Sequence, residues 1–180
     1  MKQPDFKKMS CEEIAAFICS HLNQQKVSAI LTGGACVTIY SKNLYKSGDL
    51  DFISDAFSNK ELDPFMKEIG FKRTSSRHYE HPDCPYFVEF PPGPLSVGSE
   101  LIKTTATRKT KYGILSLLTP EDSVKDRLAA FYHWNDRQAL EQATLICRQH
   151  LVDLKIIESW SKKEGALEKY QYFLKTVSTG

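Results

Sequence analysis

The stretch GGACVTIYSKNLYKSGDLDFI, residues 33–53, joins a glycine pair to a run in which acidic and apolar residues alternate. The glycines follow the apolar segment VSAILT, and the segment GDLDFIS has the period of two that is typical of a β-strand. Successive side chains of a strand point to opposite faces, so Asp49 and Asp51 are expected on one face and their apolar neighbours in the core. The stretch therefore predicts a strand, a helix near 34–43 and a second strand.

The composition limits the classes of protein to which the chain can belong. Its 180 residues are 41% hydrophobic, which suffices for one sizeable core or for a core with a smaller helical annex. The formal net charge is only +2, which does not indicate a nucleic-acid coat or a protein of the membrane surface. The first ten residues contain no apolar signal segment, and no apolar run approaches the roughly 20 residues of a membrane span. We therefore expect a cytoplasmic protein with no membrane partner.

The cysteines do not follow the spacing of a zinc site or of a disulfide framework. There are five of them, an odd number, and none belongs to a C-x-x-C pair. We expect reduced and mostly buried thiols at Cys11, Cys19, Cys36, Cys84 and Cys147.

Two helix starts have the spacing of a capping box, in which a serine caps the helix and a glutamate three residues later reaches back. These starts, at Ser10 and Ser58, predict helices over about 10–25 and 58–69. The later segments FKRTSSRHYE, PYFVEF and TTATRKTKYGILSLL are rich in strand-forming residues and are interrupted by the turn PPGP. Together these elements predict a mixed sheet and not a purely parallel one.

The pattern of the chain becomes helical from Thr119 onwards. Thr119 suits the N-cap of a helix and is followed by proline, which suits the first helical position. Asn135 is expected to cap the next helix, with Trp134 packed at the junction. The prediction is an α+β fold, with a mixed β-sheet flanked by helices over residues 1–118 and a C-terminal helical region over 119–180 packed on this core.

The paired aspartates of the second strand suggest metal binding. On a strand their Cα atoms lie about 7 Å apart, and carboxylates converging from that separation can bridge two Mg²⁺ ions about 3.5–4 Å apart. Two-ion sites of this kind catalyse phosphoryl and nucleotidyl transfer. A third acid, Glu89 in FVEF, interrupts another apolar strand. The alternative for all three acids is the solvent-exposed face of a strand.

The glycine pair lies where a bound phosphate would be expected. Gly33 and Gly34 stand between a predicted strand and a predicted helix, and the absence of side chains there lets a phosphate approach backbone N–H groups. An ordinary turn between a strand and a helix is the alternative explanation.

The order of glycine pair, Asp-x-Asp strand and later acid resembles the nucleotidyltransferase superfamily of the polymerase-β type. The segments LTGGA, GDLDF and VEF match the three elements of its pattern. A more specific similarity, through GGACVTIY and the lysine-containing TPEDSVKDRLAAF, is to the small bacterial branch of AbiEii-type toxins and related proteins. The resemblance covers about residues 27–145. Tyr45 stands where many relatives carry arginine.

The resemblance implies a transferase that moves a nucleoside monophosphate from an NTP to a hydroxyl acceptor, with Mg²⁺ or Mn²⁺ as cofactor. Asp49 and Asp51 would hold the metals that bridge the triphosphate. Glu89 would complete the metal on the acceptor side and help to deprotonate the attacking hydroxyl.

The resemblance also implies contacts to the phosphates. Gly33 and Gly34 would cradle phosphate oxygens, and Ser47 would donate a hydrogen bond nearby. Lys125 would clamp the γ-phosphate or the leaving pyrophosphate. A solvated lysine on a helix is the alternative for Lys125.

The sequence does not identify the acceptor, which stays open between an RNA end, a protein hydroxyl and a small molecule. The basic segment 103–111 suits RNA phosphates, but lysines also protect exposed sheet edges. A second hypothesis is a catalytically silent relative that binds a nucleotide or a protein partner, as in a toxin–antitoxin pair. Three carboxylates on one face repel each other without cations, which favours the active enzyme, whereas Tyr45 in place of arginine favours the silent one. The oligomeric state is not predicted.

Overall fold

The computed structural model describes residues 4–56 and 58–179. Within these ranges the chain forms a seven-stranded mixed sheet flanked by helices, together with a separate two-stranded hairpin. The helices are a short 3-10 turn at Phe6–Lys8, α1 (Cys11–Gln24), α2 (Gly33–Tyr40), α3 (Asn59–Glu68), α4 (Pro120–Trp134), α5 (Arg137–Gln149), α6 (Leu154–Lys163) and α7 (Leu167–Ser178). The strands are β1 (Ala29–Thr32), β2 (Asp49–Ser54), β3 (Lys72–Arg73), β4 (His78–Glu80), β5 (Phe87–Glu89), β6 (Ser96–Val97), β7 (Glu100–Leu101), β8 (Ala106–Thr110) and β9 (Gly113–Leu117).

The strands of the large sheet have the order β3-β4-β5-β2-β1-β9-β8. Strand β1 is antiparallel to β2 and parallel to β9, and β2 is parallel to β5. The outer pairs β3–β4, β4–β5 and β8–β9 are antiparallel. The predicted α+β class and mixed sheet are therefore confirmed. These directions bring the carboxyl ends of β1 and β9 and the amino ends of β2 and β5 to one edge, where α2 and α4 also begin.

The core lies where the central strands meet the first two helices and α4. Leu31, Leu50, Phe52 and Val88 are fully buried, as the alternation in β2 predicts for its apolar positions. Helix α1 packs against β8 and β9, whereas α2 packs against β2, α4 and α5. Helix α2 is buried along its whole length. It therefore holds its N-terminus in a fixed position beside β2.

The helix starts follow the sequence signals in two of three cases. The capping box at Ser10 forms, and Thr119 caps α4 by accepting a hydrogen bond from the Asp122 N–H. Ser58 is the N-cap of α3, but its side chain makes no capping hydrogen bond there, so the second capping box was predicted wrongly. A suitable spacing permits a capping box but does not fix the side-chain rotamers that form it.

The junction between α4 and α5 differs in detail from the sequence prediction. Asn135 ends α4 in a left-handed conformation, with φ of 57°, and so does not begin the next helix. Asp136 is the N-cap of α5 and accepts a hydrogen bond from the Ala139 N–H. Asparagine tolerates the left-handed region, whereas the aspartate that follows is extended and offers its carboxylate to the helix. The expected packing of Trp134 was also wrong, because its side chain is 77% exposed.

The described part of the chain after β9 contains helices α4 to α7 as its regular elements. The division into a core over 1–118 and a C-terminal region over 119–180 stays a prediction. No helix among the described residues is both long and apolar enough to cross a membrane. The five cysteines are free thiols, three of them buried and two partly buried.

Candidate functional site

The three acids singled out in the sequence converge at the edge where β2 and β5 begin. The parallel register pairs Asp49 with Phe87 and Asp51 with Glu89. One oxygen from each of Asp49, Asp51 and Glu89 lies within 4.8 Å of the others, and all three residues are partly buried. We call these three residues the acid cluster. Three carboxylates in this arrangement form a group that could hold a metal ion.

Asp51 is the most strongly perturbed member of the acid cluster. Burial, together with the negative charges of Asp49 and Glu89, raises the pKa of its carboxyl to about 7. The guanidinium of Arg127 opposes this rise. Among the described residues, none donates a hydrogen bond or forms an ion pair with the Asp51 carboxylate. Asp51 is thus a partly buried acid to which the described part of the chain offers no direct partner.

Asp49 is oriented by a short chain of hydrogen bonds from α2. The Ser47 hydroxyl donates to Asp49 Oδ1 at 2.7 Å, and the Ser47 N–H donates to Thr38 Oγ1 at 2.9 Å. Thr38 in turn donates to the Gly34 carbonyl at 3.3 Å. Ser47 therefore links the glycine pair to the acid cluster, and its hydroxyl hydrogen is directed at Asp49.

The glycine pair lies directly against the acid cluster. Gly33 has a φ of +67°, and a Cβ added there would collide with Asp51 Oδ2. A Cβ on Gly34 would lie 2.8 Å from Ser47 Oγ and 3.4 Å from the Tyr45 ring. Any residue other than glycine at position 33 would be strained by its backbone and crowded by Asp51. The first turn of α2 thus begins directly beside the acid cluster, with no side chain at positions 33 and 34 between them.

Glu89 has an arginine and a histidine neighbour that the sequence did not reveal. His78 Nε2 lies 2.6 Å from Glu89 Oε1, and Arg77 Nε lies 3.3 Å from Glu89 Oε2. Because β4 is antiparallel to β5, His78 stands opposite Glu89 in the register. The local pattern places His78 and Glu80 on one face of β4, but nothing in it shows that β5 is the neighbouring strand. The two side chains hold the Glu89 carboxylate in one orientation.

A second group missed in the sequence comes from α4. Arg127 donates from Nε to Asp126 Oδ2 at 3.0 Å and from Nη1 to Gln142 Oε1 at 3.4 Å. Burial lowers the pKa of the guanidinium, but the charges of Asp126 and Asp51 outweigh burial and leave it raised. Arg127 is therefore the cation of α4 whose field reaches the acid cluster. Nothing in the local sequence distinguishes an arginine that influences a distant acid cluster from any other arginine on a helix.

Lys125 belongs to a different group of charges. Its ammonium donates to Glu100 Oε1 at 2.9 Å and to Asp122 Oδ1 at 3.2 Å, and the residue is only 4% exposed. We call Lys125, Glu100 and Asp122 the lysine cluster. It lines a groove of about 570 Å³ to which Lys103 and Lys163 also contribute. The structure brings Asp49, Asp51, Glu89, Gly33, Gly34 and Ser47 together, and it gives the Lys125 ammonium carboxylate partners outside this set.

The basic segment 103–111 is partly neutralised by α1. Arg108 lies 3.7 Å from a carboxylate oxygen of Glu12, and Lys111 lies 3.4 Å from one of Glu13. The Arg108 guanidinium also lies over the Tyr40 ring, 5.4 Å from its centroid. These contacts give two of the basic residues a role in joining β8 and its turn to the helices.

No family model matches the chain, and no curated protein matches it in sequence. Two solved structures resemble it. One is the crystal structure of an antigenic nucleotidyltransferase-like protein from Paracoccidioides brasiliensis, with a TM-score of 0.60 and 12% identity over 89% of this chain and 91% of that one. The other is the solution structure of the antibiotic-resistance factor ANT(2'')-Ia, with a TM-score of 0.54 and 14% identity over 90% of this chain and 96% of that one. The chain therefore has a fold like those of a nucleotidyltransferase-like protein and of this antibiotic-resistance factor.

Proposed function

We propose that the chain is a nucleotidyltransferase that moves a nucleoside monophosphate from an NTP to a hydroxyl acceptor. One observation carries the proposal: oxygens of three carboxylates converge within 4.8 Å, beside a glycine at which a larger residue would be strained and would crowd Asp51. Likeness of fold to nucleotidyltransferase-like proteins supports it independently. The acceptor class stays open between an RNA end, a protein hydroxyl and a small molecule.

The donor set of the acid cluster suits Mg²⁺ or Mn²⁺, which prefer oxygen ligands and carboxylates in particular. The Asp51 carboxylate, raised in pKa and without a direct partner among the described residues, is the clearest sign that a cation is expected. Asp49 and Asp51 would hold the metal ions that bind together with the nucleotide, and Glu89 would be the third carboxylate ligand. When bound, such ions would supply positive charge that neutralises the charge developing on the phosphates during transfer.

The residues around the acid cluster would position the nucleotide. Backbone N–H groups at Gly33 and Gly34 would bind phosphate oxygens, since no side chain separates them from the cluster. Ser47 would keep the Asp49 carboxylate oriented towards the same phosphates. Arg127 would add positive potential from the side of α4.

Glu89 would act on the acceptor. An acceptor oxygen forms a bond to the α-phosphorus while the bond from that phosphorus to pyrophosphate breaks, and the hydroxyl proton passes to Glu89. Arg77 and His78 would act as positioning residues, because they fix the carboxylate that receives the proton.

Two finer assignments rest on the motif resemblance alone. One is membership of the AbiEii-type branch, with a toxin-like role. The other is the phosphate clamp at Lys125, against which its two carboxylate partners argue. The variants described in the Discussion separate a clamp from a structural ion pair.

A catalytically silent nucleotide-binding protein is the second candidate function. The position of Arg77 beside Glu89 favours it, because the guanidinium supplies positive charge to the third carboxylate, which His78 also contacts. The mutual repulsion of the three carboxylates, which favoured the active enzyme in the sequence analysis, is thus reduced at Glu89 by the charge of Arg77.

A direct screen for transfer tests the proposal. The protein is incubated with each of the four α-labelled NTPs and Mg²⁺ or Mn²⁺, in the presence of RNAs, protein fractions or small-molecule extracts. We expect label to appear in one acceptor class with wild-type protein and not with Asp51→Asn. Nucleotide binding that depends on the metal, without transfer to any acceptor class, would support the silent candidate instead.

A further inference from the structure

Phe87 is an exposed aromatic residue in an inner strand of the sheet. It is 53% exposed, although β5 lies between β4 and β2 and its next residue, Val88, is fully buried. Large apolar side chains in inner strands are normally covered by a neighbouring layer. Scattered apolar residues on a surface need no explanation, so the neighbours of this ring decide its significance.

Those neighbours are the acid cluster. Phe87 stands opposite Asp49 in the parallel register, and Glu89 follows it by two residues on the same strand. Because side chains alternate along a strand, Phe87 and Glu89 point to the face opposite to that of Val88. The phenyl ring therefore lies on the face that carries the three carboxylates.

The order of the strands places the ring on one particular side of the cluster. Gly33 and Gly34 lie at the end of β1 on one side of β2, and Phe87 lies on β5 on the other side. A triphosphate held by the glycines and by Asp49 and Asp51 has its phosphate tail on the β1 side. Its nucleoside is attached to the α-phosphate beside the two aspartates, and Phe87 stands directly opposite Asp49 in the register, whereas Glu89 faces the acceptor from the position opposite Asp51.

We propose that Phe87 stacks on the base of the bound NTP and gives the site a preference for purines. The inference rests on the proposed function, and it adds a residue that contacts the base and a substrate class. An aromatic ring stacks on any base because every base has a π-face, and a purine offers it more surface than a pyrimidine. The ring thus selects by stacking area and not by hydrogen bonding.

Equilibrium binding of non-hydrolysable ATP and CTP analogues in Mn²⁺, measured by calorimetry without an acceptor, tests the inference. Inorganic tripolyphosphate serves as a ligand with the same phosphates and no base. The variants are Phe87→Ala, Phe87→Trp and, as a matched control, Trp134→Ala, which removes another exposed aromatic ring. Thermal melting of each variant establishes that it is folded.

We expect Phe87→Ala to weaken ATP-analogue binding about tenfold, within the range measured for the loss of base stacking. The ATP-to-CTP preference should shrink towards one, tripolyphosphate affinity should stay unchanged, and Phe87→Trp should retain wild-type binding. The Trp134→Ala control should bind all three ligands as the wild type does.

Wild-type ATP-analogue affinity in a folded Phe87→Ala protein would overturn the inference and leave the proposed function standing. An equal loss of tripolyphosphate and nucleotide affinity would also overturn it, because the change would then act on the phosphates. Failure of the wild-type protein to bind any nucleotide or tripolyphosphate would overturn the proposed function itself, and the inference with it.

Discussion

The acid cluster and the lysine cluster both contain charges withdrawn from solvent, but they differ in how the protein compensates them. In the lysine cluster the Lys125 ammonium contacts both Glu100 and Asp122 within 3.2 Å. Burial by itself lowers the Lys125 pKa, yet the hydrogen bonds that the ammonium donates to these acids, together with their negative charges, outweigh burial and raise it. In the acid cluster, burial and the neighbouring acids act in the same direction on Asp51 and raise its pKa to about 7.

This difference indicates a structural role for the charge of Lys125 and a ligand-binding role for the charge of Asp51. A buried ion pair whose members satisfy each other contributes to the fold, and removing one member leaves the other uncompensated. A carboxylate that is destabilised by its surroundings gains stability when a cation arrives. Variants of the two clusters should therefore respond in opposite ways to metal and nucleotide.

The largest effect is expected for Asp51→Asn, which removes a charge at nearly constant shape. Transfer in a single-turnover assay should fall about 10³-fold, comparable to the loss of a principal electrostatic contact in an enzyme. The increase in melting temperature that Mg²⁺ and NTP give the wild type should also disappear. The matched control is Asp55→Asn, an exposed acid just beyond the end of β2, which should keep both properties. Wild-type transfer by Asp51→Asn would show that the acid cluster is not the metal site.

Glu89→Gln is expected to separate chemistry from binding. Transfer at saturating nucleotide should fall about 10²-fold, the usual scale for losing general-base assistance, while nucleotide affinity changes only a few-fold. Glu80→Gln, an exposed position on the neighbouring strand β4, provides the control in the same assay. Equal rates for wild type and Glu89→Gln would exclude Glu89 as the third catalytic carboxylate.

Lys125→Met tests whether the lysine cluster has a structural role. It should lower the free energy of unfolding by about 2–3 kcal/mol, because Glu100 and Asp122 lose their cation, and should leave nucleotide affinity unchanged. Urea denaturation and calorimetry measure the two quantities. Lys163→Met, an exposed lysine of the same groove, should change stability by no more than about 0.5 kcal/mol. A tenfold loss of nucleotide affinity in a stable Lys125→Met protein would instead establish the phosphate clamp and end the contrast between the clusters.

The smallest effect is a pH dependence of the metal-free protein. The Asp51 pKa is about 7 in the folded chain against an ordinary 3.8, so folding favours the protonated acid. Its contribution to stability is complete below about pH 4 and is lost as the pH rises through 7. Between pH 5 and pH 6 it should lower the free energy of unfolding by about 1 kcal/mol. Urea denaturation in a chelator should show this slope for wild type and for the exposed control Glu141→Gln, and Asp51→Asn should lack it.

Periodicity in the sequence was sufficient to predict the face on which each acid lies. The alternation in GDLDFIS separates Asp49 and Asp51 from the buried Leu50 and Phe52, and that separation does not depend on which strands are neighbours. The capping signals at Ser10 and Thr119 are local in the same sense, and they were confirmed. The helix signals and the β-rich segments together also predicted that the sheet is mixed and not purely parallel.

The partners of the acids could not be predicted, because they depend on strand order. His78 reaches Glu89 only since β4 pairs with β5, and Arg127 influences Asp51 only through the position of α4. The carboxylate partner of Lys125 in β7, Glu100, is likewise distant in sequence. Other differences between prediction and structure depend on side-chain rotamers, as at Ser58, whose side chain does not form the predicted capping hydrogen bond.

The two parallel pairings beside the acid cluster also determine when the site can form. Strand β1 meets β9 through Leu31 and Leu117, and β2 meets β5 through Asp51 and Glu89, so each pairing closes a long loop of chain. Contacts between distant segments form more slowly than local helices, because closing the long loop between them costs conformational entropy before any contact is made. The mutually repelling acids are thus kept apart while the helices condense. Binding of a fluorescent nucleotide during refolding should consequently appear only in the slowest kinetic phase, as the sheet closes.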